Sequence, residues 1–130
     1  MSSRPLAGPF PAILNGNMSG NITSKASLVP NLSMMSYAYS WTGTAPVGTV
    51  SIQVSNDYSI NPNGSVNNPG TWTTIWFNLN GTPAMSAPVT GSPGNGFIDV
   101  DATGAYAIRT IYTFTSGTGT LQAVFNAKVS

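Results

Sequence analysis

Apolar residues recur at every second position through five stretches of this 130-residue chain. Met35, Tyr37, Tyr39 and Trp41 share one face of "LSMMSYAYSW". Val50, Ile52 and Val54 alternate with Thr49, Ser51 and Gln53 in "VGTVSIQVS", as a half-buried strand requires. "TWTTIWFNL" sets Trp72, Thr74 and Trp76 opposite Thr73, Ile75 and Phe77. "AYAIRTIYTF" groups Tyr106, Ile108, Thr110, Tyr112 and Phe114, with Arg109 on the reverse. "TLQAVFNAKV" turns Leu121, Ala123, Phe125, Ala127 and Val129 inward and Gln122, Asn126 and Lys128 outward. Weaker strands are expected near 18–25, 84–90 and 96–100, and no helical periodicity competes.

Clusters of turn-forming residues punctuate these runs: "TGTAP", "NPNGSVNNPG", "NGTP", "TGSPGNG", "DATG" and "TSGTGT". Seven to nine short strands at such spacing predict an all-β fold, a single antiparallel β-sandwich with jelly-roll or Greek-key connections. The last two runs read as a closing hairpin around a Ser-Gly-Thr turn. "SNDYSINPNGSVNNPGTW" reads as a long polar loop, either a solvated connection or a contact tip.

Residues 1–17 carry three prolines and the apolar Phe10, Ile13 and Leu14 without clear periodicity. They predict an extended N-terminal arm, with room for one short strand, ahead of a β-sandwich over 18–130. The arm has two readings. It is a loose terminus, or it docks on a neighbouring subunit through Pro5, Phe10, Pro11, Ile13 and Leu14.

Charge changes the picture most. Four Lys/Arg and three Asp/Glu make 5% of the chain, against about 25% in ordinary domains. With a net charge of +1 and its cations scattered, the chain lacks the basic footprint that nucleic acid requires. There is no Cys or His, so thiolate nucleophiles, disulfides and the commonest metal ligands are excluded. No apolar run reaches the roughly 20 residues of a membrane-spanning helix and no signal-peptide pattern opens the sequence, so a soluble chain without membrane contact is expected.

The sharpest local pattern is "DVDATG", in which Asp99, Asp101 and Thr103 match the first half of a calcium loop. The closing acidic ligand is missing, since Thr110 stands where a bidentate Glu belongs. These three residues are a weak calcium candidate, and a strand end followed by an Asp/Gly turn is the simpler account; no cofactor is expected. Glycoside hydrolysis needs two carboxylates with separated pKa values, and only Asp57, Asp99 and Asp101 exist, with no Glu. Five Asn-x-Ser/Thr triplets, at Asn17, Asn21, Asn31, Asn63 and Asn80, exceed only slightly the about three that 13 Asn and 31 Ser/Thr give by chance. Trp41, Trp72 and Trp76 offer either core packing or faces for stacking sugars.

Sheet edges are normally guarded by charge, and a surface without it favours association. The segments "VGTVSIQVSNDY", "WTTIWFNLNG" and "AYAIRTIYTFTSGTGTLQAVFNAKV" together resemble small β-sandwich virion proteins of bacteriophages. The matching positions are Val50 to Asp57, Trp72 to Thr73, and Arg109, Tyr112, Ser116, Gly117, Thr118, Gly119, Thr120 and Leu121. The resemblance implies a structural role without catalysis: capsid decoration, a minor capsid or vertex component, or a spike base. Its implied partners are a capsid lattice and further copies of the chain, a trimer being favoured, on a capsid assembled in the bacterial cytoplasm. Arg109 is expected to tie the last hairpin to a neighbouring carbonyl cluster or to Asp99 or Asp101. The alternative from another class is a carbohydrate-binding module or adhesin tip that uses exposed aromatics.

Overall fold

Two strands of 22 residues each, Met34–Ser55 and Ala107–Lys128, organise the molecule. The computed structural model describes residues 10–29, 34–79, 81–101 and 105–128. Its strands are β1 (Phe10–Asn17), β2 (Ile22–Thr23), β3 (Ser27–Leu28), β4 (Met34–Ser55), β5 (Ser59–Ile60) and β6 (Val66–Asn68). They continue as β7 (Thr73–Thr74), β8 (Phe77–Leu79), β9 (Thr82–Ala84), β10 (Ala87–Val89), β11 (Gly94–Asp101) and β12 (Ala107–Lys128). The fold is all-β, with no helix among the described residues.

β4 and β12 pair antiparallel along their whole length, from Ala107 opposite Ser55 to Lys128 opposite Met34. A straight pair of this length would be an open ribbon, but one hydrogen bond shows that it folds back. Tyr39 lies opposite Ala123, while Thr110 sits thirteen positions earlier on β12, about 43 Å away in a straight strand. Their side-chain oxygens are nevertheless 2.7 Å apart. Each long strand therefore serves two layers, and the halves face each other as a sandwich.

The first layer runs β1, β12, β4, β11, β8, β9 around the C-terminal half of β12 and the N-terminal half of β4. The second places β2 and β3 on one side of the remaining halves and β10 and β7 on the other. Between the layers lie Met35, Tyr37, Tyr39, Trp41, Val50, Ile52, Ile108, Tyr112, Leu121, Ala123 and Phe125, all buried. Their spacing of two is the alternation read from the sequence.

The closing segment does not reverse. "TSGTGT" lies inside β12, opposite "TGTAP" inside β4, with the register shifting between Phe114, Ser116 and Thr118. Ala45 takes φ 48° and Gly117 φ 85° at this corner. A Cβ at Gly117 would run into the Ala45 carbonyl oxygen, so the strands can cross here only without a side chain. The Ser92 hydroxyl pins the corner, accepting from the Gly43 N–H (2.9 Å) and donating to the Gly43 carbonyl (2.6 Å). Two turn-rich clusters in register with one another bend a shared ribbon, where either alone signals a hairpin.

The expected arm is also redrawn. Phe10–Asn17 is an edge strand of the molecule's own first layer, paired from Phe10 opposite Phe125 to Asn17 opposite Thr120. The boundary expected at residue 17 therefore does not separate an arm from the sheet; residues 1–9, with Pro5, lie outside the described residues. The polar loop after β4 is partly ordered by pairing, since β5 and β6 form a small separate ribbon.

Candidate functional site

Three surfaces collect the side chains able to contact something else. On the second layer's outer face, Thr74, Gln53 and Arg109 stand side by side across β7, β4 and β12. The Arg109 Nε donates to Gln53 Oε1 (2.9 Å), and the guanidinium carbon lies 4.2 Å from the centre of the Trp72 ring. Partial burial lowers the Arg109 pKa, from a value high enough that the group stays charged at neutral pH. The Trp72 N–H donates to the Pro69 carbonyl (2.8 Å), and Tyr58 packs against the same indole at 5.6 Å. Asp57 fastens the base of the ribbon: its Oδ1 accepts from the Ser55 hydroxyl (2.8 Å) and the Thr71 N–H (2.7 Å). Those bonds hold the Asp57 carboxyl below its usual pKa, the Thr71 bond contributing most. A cleft of about 400 Å³ beside it is lined by Ser55, Asn56, Asp57 and Thr71.

The first layer's outer face carries a cross-strand apolar row. Pro11 pairs with Val124, Val124 with Ala38 and Ala38 with Phe97; Phe97 is 61% and Val124 38% exposed. Ser36, Ser40, Asn95, Gln122 and Asn126 flank the row, and Asp99, opposite Ser36 on β11, adds a single carboxylate. Leu14, on the β1 edge, is 72% exposed. Sequence alone could not assemble this row, because it depends on the register of four strands that are distant along the chain.

The third surface is a cleft of about 330 Å³ lined by Trp76, Phe77, Asn78, Gly81, Pro83, Asp99 and Val100. Asn78 and Asp99 are register partners on β8 and β11. Both are exposed, whereas Phe77, Ile98 and Val100 point into the core. Trp76 is 64% exposed.

The residues singled out from the sequence fall unevenly on these surfaces. Ile13 is not available to a partner subunit, being 5% exposed within the core, and Phe10 packs against that core. Pro11 and Leu14 remain on the surface. Arg109 does not reach Asp99: its partners are Gln53 and Trp72, on the other layer, and the Asp101 side chain lies outside what is described. Asp99 and Asp101 lie on β11 opposite Ser36 and Met34, and Thr103 lies outside the described residues. Among the described residues no three acidic side chains converge on a common point. Of the three tryptophans, Trp41 alone is buried, donating its N–H to the Gly91 carbonyl at 3.1 Å.

No protein-family model and no curated protein sequence matches the chain. Among solved structures, the crystal structure of SPBc2 prophage-derived protein YomS superposes with a TM-score of 0.60, over 97% of each chain, at 9% sequence identity. The two share a fold. At that identity the likeness concerns architecture alone, and it extends over nearly the whole of both chains.

Proposed function

We propose that the chain is a non-enzymatic structural protein of a bacteriophage particle, a capsid decoration or minor capsid component that self-associates, as a trimer, on the capsid lattice. The observation that carries this reading is the fold shared along its whole length with a prophage-derived protein. The uncharged outer row Pro11, Val124, Ala38 and Phe97 supports it. Such a face has little charge to desolvate when a protein surface covers it, and in a closed three-fold ring each copy would present it to a different patch of its neighbour. The chemistry that catalysis would need is scarce: no His, Cys or Glu exists in the chain, and Asp57 is tied up in holding a ribbon.

Mass spectrometry of particles purified from the phage or prophage that carries the gene tests the reading. The chain is expected among the virion proteins in many copies per particle, and its absence from purified particles would overturn the proposal. Sedimentation of the isolated protein tests self-association separately. A species of about 40 kDa, three chains of 13.4 kDa, is expected to fall to the monomer in Phe97→Asp. A monomer at every concentration removes the trimer.

A further inference from the structure

We propose that the cleft between β8, β9 and β11 is a binding site for a neutral, hydroxyl-rich sugar ring, with Trp76 as its stacking face and Asp99 and Asn78 as its acceptor and donor. A tryptophan is among the side chains most costly to leave in water, and Trp76 is the most exposed aromatic among the described residues, at 64%. Its indole N–H meets no acceptor there. Beside it, Asn78 is held in one orientation: its Oδ1 accepts the Gly81 N–H at 2.8 Å, which leaves the Nδ2 donors aimed elsewhere. Across the strand boundary stands Asp99, whose carboxylate receives no hydrogen bond from a described residue. An opposed pair of this kind brings the two side chains within about 5 Å at Cβ.

The cleft thus presents an aromatic plane, a fixed amide donor and a free carboxylate acceptor along one wall. A pyranose ring has the complementary surface, an apolar C–H face and hydroxyls at its rim that donate and accept at once. Asp99 also invites a cation, which ring and carboxylate together could hold, but an amide donor fixed beside the carboxylate repels one. The volume of about 330 Å³ lies at the lower end of ordinary ligand pockets. The other half-covered tryptophan is no rival: Trp72 has Arg109 on its ring and its N–H spent on Pro69. This site is independent of the virion reading, since a particle protein needs no sugar site to bind its lattice.

The test is titration of the intact protein with the methyl glycosides of glucose, galactose, mannose and N-acetylglucosamine and with their tetrasaccharides, followed by calorimetry. Saturable heat exchange with at least one probe is expected. Affinity should fall about tenfold or more in Trp76→Ala, partly recover in Trp76→Phe, drop severalfold in Asp99→Asn and stay unchanged in Trp72→Phe. All three positions lie outside the core, so each variant should keep the parent circular dichroism spectrum. Failure of every probe to saturate, or equal affinity in Trp76→Ala, overturns the proposal. Tighter binding of tetramethylammonium than of any sugar also overturns it, because the cleft would then be a cation site.

Discussion

Trp72 and Trp76 stand four residues apart in "TWTTIWF", yet they meet opposite fates. Trp72 has a guanidinium over its ring, a tyrosine packed against it at a tilt and its N–H on a backbone carbonyl. Trp76 has none of these and shows 64% of its surface. The strand between them is interrupted, β7 ending at Thr74 and β8 starting at Phe77. That break sends the chain from the second layer, where Thr74 pairs with Gln53, to the first, where Asn78 pairs with Asp99. One short sequence thereby furnishes an indole that holds the fold together and an indole left open to solvent. An aromatic residue is a structural part when its ring faces and polar atom are all engaged, and a candidate contact when they are not.

Alanine at each position should separate the two most widely. Trp72→Ala removes a half-buried indole and uncovers Arg109, and is expected to cost about 2 kcal/mol. Trp76→Ala should stay within about 0.5 kcal/mol of the parent. Urea unfolding of both variants decides it. Equal losses would mean that exposure does not distinguish the two roles.

Arg109 offers a smaller and more specific break. Arg109→Ala should cost about 1 kcal/mol, the order of a partly exposed cation–π contact and a charge-assisted hydrogen bond. Arg109→Lys, which keeps the charge and loses the planar fork, should recover less than half. Thermal unfolding of the two variants measures the difference, and a lysine variant as stable as the parent would show that charge alone matters.

Arg109 also shows how far the sequence could be read. Its place on the outward face of a strand follows from alternation with Ile108 and Thr110, and the buried faces of β4, β11 and β12 follow by the same rule. Its partners do not follow. Gln53 and Trp72 come from distant segments, and only the β4–β12 register and the return of the chain through β7 bring them to it. The corner was hidden for a related reason: Gly, Ser and Pro mark where backbone leaves the regular strand, and a hairpin and a bend need the same residues. What separates them is whether the opposite strand carries a matching cluster, a fact of pairing. Trp76 was visible as an aromatic but its exposure was not, because alternation through "TWTTIWF" ignores the break after Thr74.

Acid should loosen the ground beneath Trp72. Asp57 has a native pKa below that of a free carboxylate, which is about 3.9. Its bonds to Ser55 and Thr71 therefore contribute fully above that value and are lost as pH falls through the lower native one. Because the group is exposed, the change is local. In a Trp76→Phe background, fluorescence from Trp72 is expected to shift toward that of a solvated indole below about pH 4, while buried Trp41 stays constant. In Asp57→Asn the shift should vanish, the emission already being altered at neutral pH. A pH-independent signal in the parent would remove Asp57 as the clasp.

The smallest effect is expected inside the core, where two neighbouring tyrosines repeat the contrast of the two tryptophans. Tyr39 and Tyr37 are both buried, their rings stacked with centres 6.2 Å apart. The Tyr39 hydroxyl bonds to Thr110, whereas no described residue partners the Tyr37 hydroxyl. Burial raises both pKa values above that of a free phenol, so each favours the folded state below about pH 10 and loses that advantage as pH rises further. Tyr39→Phe should cost about 1 kcal/mol, since Thr110 keeps its bond to the Ser51 carbonyl at 2.8 Å and only one bond is lost. Tyr37→Phe deletes a hydroxyl that was stripped of water without compensation, while keeping the ring that packs on Phe125 at 5.0 Å. Its stability should equal or slightly exceed the parent's. Denaturant midpoints for the two variants at neutral pH read the difference, and a loss at Tyr37 as large as that at Tyr39 would mean that its hydroxyl has a partner after all.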